Sequence, residues 1–204
     1  WAARSVEGAA LTNALTLGAD WQIGSRDLER RALQQGFWAR DERLDSRAAY
    51  ALPQWPLFLT ERRAASASRL LAGPPLTVAS LEAWLRDHGA GDTPPDARLE
   101  PSDPARYSVC MHVAPTSETT ASLVVRLPSQ TGHRPWPVWI SFAAPCSGLF
   151  VPVYLEGVIP AEMARAEGAD SVWQVFRALQ EAAAGDPARS EERRVGKECV
   201  RLCR

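Results

Sequence analysis

Three runs of the chain decide its fold: RYSVCMHV at residues 106–113, TTASLVVRL at 119–127 and PVWISFA at 137–143. Each is rich in β-branched and aromatic residues, and short loops holding Pro115 and the stretch from Ser129 to Pro135 separate them. Such runs form strands, and three in close succession predict an antiparallel meander. Just upstream, Thr77 can cap a helix over TVASLEAWLRDH (77–88), where Val78, Leu81 and Leu85 fall at i, i+3 and i+7 and Gly89 ends the run. The intervening residues 89–105 are dense in proline and glycine and read as an irregular surface connection.

Further upstream, Thr60 is positioned to cap ERRAASASRLLA, which Gly73-Pro74-Pro75 stops. Ser25 opens a second helical stretch, SRDLERRALQQ, with Gly36 just past its end. Residues 6–17 (VEGAALTNALTL) read as a strand running into a loop, and 40–56 as a connector. Downstream, Asp170 can cap SVWQVFRALQEAAA, with Val172, Val175, Phe176 and Leu179 as its apolar face. The order of strand, helices, strand block and helix predicts an α+β fold, an antiparallel sheet with flanking helices.

Composition narrows the function classes. The 204 residues are 46% hydrophobic and 23% charged, ordinary for a folded globular chain. With Lys+Arg 23 against Asp+Glu 24 there is no basic footprint for nucleic acid or an anionic membrane. No apolar run reaches the ~20 residues that span a bilayer, and no secretory signal pattern is visible. Length predicts one domain, 1–188, followed by a tail at 189–204. That tail holds Lys197, the one lysine of the chain, and RSEERRVGKEC (189–199) resembles the translation of a sequencing-adapter oligonucleotide. It is therefore expected to be artefactual or disordered. Trp1 in place of Met predicts that the chain is a piece of a longer protein.

Cys199-x-x-x-Cys203 lies in the tail and lacks a second ligand pair, so no metal and no cofactor is expected. Cys110 and Cys146 are too few for a disulfide framework, which suits a reducing, cytoplasmic compartment. His88 at a helix end, His112 in a strand and His133 in a loop read as packed or solvated. Cys110 and His112, two apart, share a strand face and could make a thiolate pair; a buried cysteine beside a half-exposed histidine is the plainer reading. Cys146, in Ala-Pro-Cys-Ser-Gly, follows a strand where a nucleophile could be displayed, yet no glycine turn into a helix comes after it. A structural role is favoured there. No phosphate loop, paired-carboxylate motif or HExxH is present. Spacing alone assigns no reaction.

Three collinear segments carry a resemblance. WAA…VEG…LTNALTL…DLERRA…GFW (1–38), LTVASLEAWLRDHGAG (76–91) and the run RYSVCMHV…SETTASLVVRLP…VWISFAAPCSGLFVPVYLEG, with Pro145, Cys146, Phe150 and Pro152, resemble the secernin family. Bacterial dipeptidase-A-type enzymes are similar over the same stretch, roughly residues 1–160. The resemblance implies an N-terminal-nucleophile hydrolase, here an incomplete αββα sandwich. In that class a mature N-terminal cysteine attacks an amide carbonyl and its own α-amine takes the thiol proton; the nucleophile is expected upstream of Trp1.

Asn13, in Leu-Thr-Asn, then matches the position of an oxyanion-hole carboxamide; a plain turn residue is the other reading. Arg106 could bind a substrate carboxylate, or simply be a solvated arginine at a strand start. The function implied is a fragment of a cysteine-type amidohydrolase or dipeptidase acting on a small peptide or amide, the fragment alone being inactive. The alternative is a non-catalytic, secernin-like binding or regulatory protein.

Overall fold

The computed structural model describes residues 1–13, 15–51, 58–89, 100, 102–113, 117–127, 136–165, 168 and 170–184. The chain divides into two compact units, Trp1–Pro74 and Pro75–Arg204.

In the first unit β1 (Ala2–Ala3) pairs antiparallel with β2 (Ile23–Gly24). Helices α1 (Leu28–Gln34), α2 (Ser46–Tyr50) and α3 (Phe58–Leu71) follow. The sparse stripe of α1 suffices for a small core: Leu28 and Ala32 pack with Leu44 and Ala49, and Trp21, Trp38 and Tyr50 close over them. The polar ends of these aromatics are satisfied, since Trp21 Nε1 donates to the Leu44 carbonyl (2.9 Å) and Tyr50 Oη to that of Leu28 (2.7 Å). A large ring can enter such a core when its N–H or O–H finds an acceptor. Asp45 caps α2 by accepting from Ala48 N at 2.8 Å.

Four expectations change in this unit. Residues 40–56, expected as a connector, hold α2, which Asp45 is placed to start. The described residues of 6–17 form no strand, and Val6, Leu11 and Leu15 are exposed, so no alternation exists to bury one face. Helix α1 starts behind Asp27 rather than Ser25. Thr60 lies buried inside α3, which begins two residues ahead of it.

The second unit opens with α4 (Val78–Leu85), capped as the sequence predicts but ending three residues short of His88. Thr77 Oγ1 accepts from Ser80 N at 3.0 Å while Ser80 Oγ accepts from Thr77 N at 2.8 Å, so two orphan donors are met at once. A 3-10 turn (Pro104–Arg106) leads to β3 (His112–Val113), paired with β4 (Ser117–Glu118). A separate three-stranded antiparallel sheet holds β5 (Ala121–Val125), β6 (Pro137–Phe142) and β7 (Val151–Tyr154), in that order. Its register sets Leu123 opposite Ile140 and Val138 opposite Val153. Ser122 and Val124 face inward from β5 and Val138 from β6.

The general kind, α+β with antiparallel sheet and helices, is as expected; the membership of the sheet is not. Residues 106–113 stay out of it because Asp103 and Pro104 start a tight turn and the Ser108 hydroxyl donates to the Cys110 carbonyl (2.7 Å), drawing the backbone into a loop. The third strand is 151–154, which tolerates Pro152 because it lies at the sheet edge.

Short α5 (Ala161–Ala164) precedes α6 (Val172–Ala184), whose cap is Ser171, accepting from Gln174 N, one residue past the expected Asp170. Helix α6 lays Phe176 on Phe142 with ring centroids 5.8 Å apart, while Trp173 Nε1 donates to the Thr120 carbonyl at 2.9 Å. Val175 and Leu179, expected on the packed face, are half exposed; the half-buried stripe is rotated toward Trp173, Phe176 and Gln180. No helix among the described residues is long and apolar enough to cross a membrane.

Candidate functional site

Three separate segments of the second unit close on one point. Past the end of α4, His88 is almost fully buried. The loop into β3 brings buried Cys110 and half-buried His112, and the turn after β6 brings Cys146. The Asp87 carbonyl accepts from Cys110 N (3.0 Å), which fixes the α4 end to the loop. Thr119 ties down the other side: its Oγ1 accepts from Met111 N (2.9 Å) and its N donates to the Met111 carbonyl (3.0 Å). After β6 the chain turns at Ala143, where φ is 57°, and Ala144 N donates to Gln180 Oε1 of α6 at 2.9 Å. Ser147 N and Gly148 N then both donate to the Ala144 carbonyl at 3.1 Å, a tight turn with Cys146 inside it.

The four donor atoms lie within 4.8 Å of one another. His112 Nε2 is the hub: it stands 3.2 Å from His88 Nε2, 3.4 Å from Cys110 Sγ and 3.3 Å from Cys146 Sγ. Arg86 packs against the turn that carries Cys146. Its guanidinium donates to the carbonyls of Pro145 (3.0 Å) and Glu82 (3.1 Å) and stacks over Phe150 at 4.7 Å.

The thiols are unequal. The Cys146 pKa is driven below the usual thiol range, first by a hydrogen bond from Cys110 and then by His112 and His88, against the opposing effect of burial. Cys110, which shares its proton with that neighbour and is itself buried, is pushed up. Cys146 is thus the first of the pair to exist as thiolate, the form that binds metals and attacks electrophiles.

Spacing in the sequence pairs Cys110 with His112 and says nothing that joins Cys146 or His88 to them; the structure unites all four. Outside the tail the chain holds two cysteines and three histidines, and four of those five residues meet here. His133, like residues 185–204 with Cys199 and Cys203, lies outside the described residues. Arg106 is buried, with Nε and Nη2 both donating to the His112 carbonyl. Asn13 is exposed, in an irregular segment of the first unit. Leu15 and Leu17, just past it in sequence, line a cleft of about 540 Å³ together with Asp27, Arg31 and Tyr50.

Comparison with protein-family models, with curated proteins and with solved structures finds no match for this chain.

Proposed function

We propose that the chain belongs to a cysteine-type amidohydrolase that cleaves dipeptides or related small amides. The observation that carries this reading is the first-unit cleft, whose wall includes Leu15 and Leu17, just past Asn13 in sequence, and which offers Arg31 and Asp27 together. A free dipeptide is a zwitterion, so a site for it needs one cation for the carboxylate and one anion for the ammonium. Leu15, Leu17 and Leu28 add apolar wall that suits a substrate side chain. The secernin-like segments point to the same chemistry.

In the proposed reaction a mature N-terminal cysteine, outside these 204 residues, supplies the thiol. Its own α-amine takes the thiol proton, the sulfur bonds to the amide carbon, and the carbonyl electrons move to oxygen. The Asn13 carboxamide donates to that oxyanion. Collapse breaks the C–N bond, the amine leaves with the proton, and water then cleaves the thioester.

The test uses the protein extended to that cysteine. Dipeptide hydrolysis is expected there, with Asn13→Ala lowering kcat by roughly 10²–10³, the cost of one oxyanion donor. Arg31→Ala is expected to raise KM for free dipeptides and leave C-terminally amidated ones unchanged. Hydrolysis by the 204-residue chain itself, or a near-normal kcat for Asn13→Ala, overturns the mechanism. No turnover in the extended, folded protein supports the binding or regulatory alternative instead.

A further inference from the structure

The contacts around His112 Nε2 cannot all be hydrogen bonds. A ring nitrogen carries either one proton or one lone pair, so it can donate once or accept once. Here three donor atoms approach it at 3.2, 3.3 and 3.4 Å, two of them from groups that are themselves weak in either role. A cation held between the four side chains would satisfy lone pairs that too few protons can serve.

The three edges that meet at His112 have the lengths of a zinc tetrahedron. In a tetrahedral zinc site with Zn–N near 2.0–2.1 Å and Zn–S near 2.3 Å, the edges are about 3.3 Å between nitrogens and about 3.6 Å between nitrogen and sulfur. The His88–His112 edge is 3.2 Å, and the two Cys–His112 edges are 3.4 and 3.3 Å. Two thiolates with two imidazoles are a donor set that favours zinc over magnesium or calcium, which require oxygen. A complete four-residue set leaves no open position, the mark of a structural rather than a catalytic site.

We infer that His88, Cys110, His112 and Cys146 form a structural Cys2His2 zinc site that pins the end of α4, the loop before β3 and the turn after β6 to one another. The surroundings are built for it. Arg106 holds the His112 backbone, Gln180 and the Ala144 carbonyl hold the Cys146 turn, and the Asp87 carbonyl holds Cys110. These hydrogen bonds fix the backbone of three of the four ligand-bearing positions without using any of the four donor atoms. The inference is independent of the amidohydrolase reading, since zinc content is measured without turnover.

The experiment is metal analysis of the full 204-residue chain purified from zinc-supplemented medium, followed by cobalt exchange. One zinc per chain is expected, with both body thiols resisting alkylation until a strong chelator is added. The cobalt form should show intense visible d–d bands and thiolate-to-cobalt charge transfer, the signature of a tetrahedral sulfur-containing site. Cys146→Ser should lose the charge-transfer intensity and the stoichiometric metal. His88→Cys keeps four donors and should retain one zinc with a red-shifted cobalt spectrum, which separates loss of a ligand from loss of the fold. Zinc well below one per chain in a folded protein overturns the inference. So does rapid, selective alkylation of Cys146 in the zinc-supplemented protein, which would make the cluster a reactive Cys–His centre.

Discussion

Arg106 holds the carbonyl oxygen of His112 with two donors, Nη2 at 3.0 Å and Nε at 3.2 Å. The fork that the sequence offers to a substrate carboxylate is turned here on the backbone of a cluster residue, from a side chain that is only 6% exposed. A buried, charge-assisted grip of this kind contributes about 2 kcal/mol. Arg106→Ala should therefore lower the unfolding free energy by about that amount in a denaturant titration. Arg106→Lys should recover only part of it, because an ammonium cannot reproduce the planar pair. An unchanged denaturation midpoint for Arg106→Ala would deny the residue this role.

Gly148 and Ser141 should be energetically coupled. A Cβ on Gly148 would fall 2.6 Å from Ser141 Oγ and 3.1 Å from the Phe142 carbonyl oxygen. Ser141 is fully buried, and its hydroxyl has no hydrogen-bond partner among the described residues. Gly148→Ala alone should cost about 1–3 kcal/mol through overpacking. Ser141→Ala should be neutral or stabilising, since it removes an unpaired buried oxygen. In the double variant the penalty should shrink by about 1 kcal/mol relative to the sum of the two. A strictly additive cycle would show that the clash is relieved elsewhere.

The cap of α4 gives a smaller, cleaner effect. Thr77 and Ser80 exchange two hydrogen bonds at the helix start. Thr77→Ala should cost about 1 kcal/mol in thermal or chemical unfolding, and Thr77→Ser almost nothing, because only the hydroxyl is needed.

Asp27, in the lining of the first-unit cleft, should titrate below an ordinary aspartate because Arg30 binds its Oδ1 at 2.6 Å. A carboxyl whose folded pKa is depressed adds stability above its unfolded pKa and loses it as pH falls through the folded value. For a side chain this exposed the stability effect should be slight, so the pKa itself is the readout. Arg30→Ala should move the Asp27 carboxyl resonance midpoint upward in an NMR titration. No movement would place the cause elsewhere.

Helices were the most legible part of this chain. Thr77, the apolar spacing of Val78, Leu81 and Leu85, and the stops at Gly36 and Gly73-Pro74-Pro75 act over a few residues, and α1, α3, α4 and α6 overlap the stretches read as helical, with ends displaced by a few residues. Strand membership depends on distant partners. Residues 106–113 have strand composition, yet a proline-started turn and the Ser108 hydroxyl take them out of the sheet, while the edge position that suits Pro152 is invisible from sequence. The cluster follows the same division. Cys110 and His112, two residues apart, could be placed together by spacing; His88 reaches His112 across 24 residues and Cys146 across 34, and only the tertiary fold sets those distances.

The left-handed backbone of Ala143 has a consequence of its own. At φ 57° a residue with a Cβ sits in a region that costs roughly 1–2 kcal/mol relative to the ordinary right-handed one. Glycine would adopt it freely, yet an alanine stands there, 2% exposed, three residues before Cys146. The turn therefore stores strain, and its neighbours must hold it against relaxation: the Gln180 amide on Ala144, the Ser147 and Gly148 amides on the Ala144 carbonyl, and Arg86 on Pro145. Strain of this kind persists only where the surroundings over-determine the backbone. The aim of the Cys146 sulfur is thus a mechanical property of the whole turn, a loaded bend whose release would swing that thiol away from the two histidines.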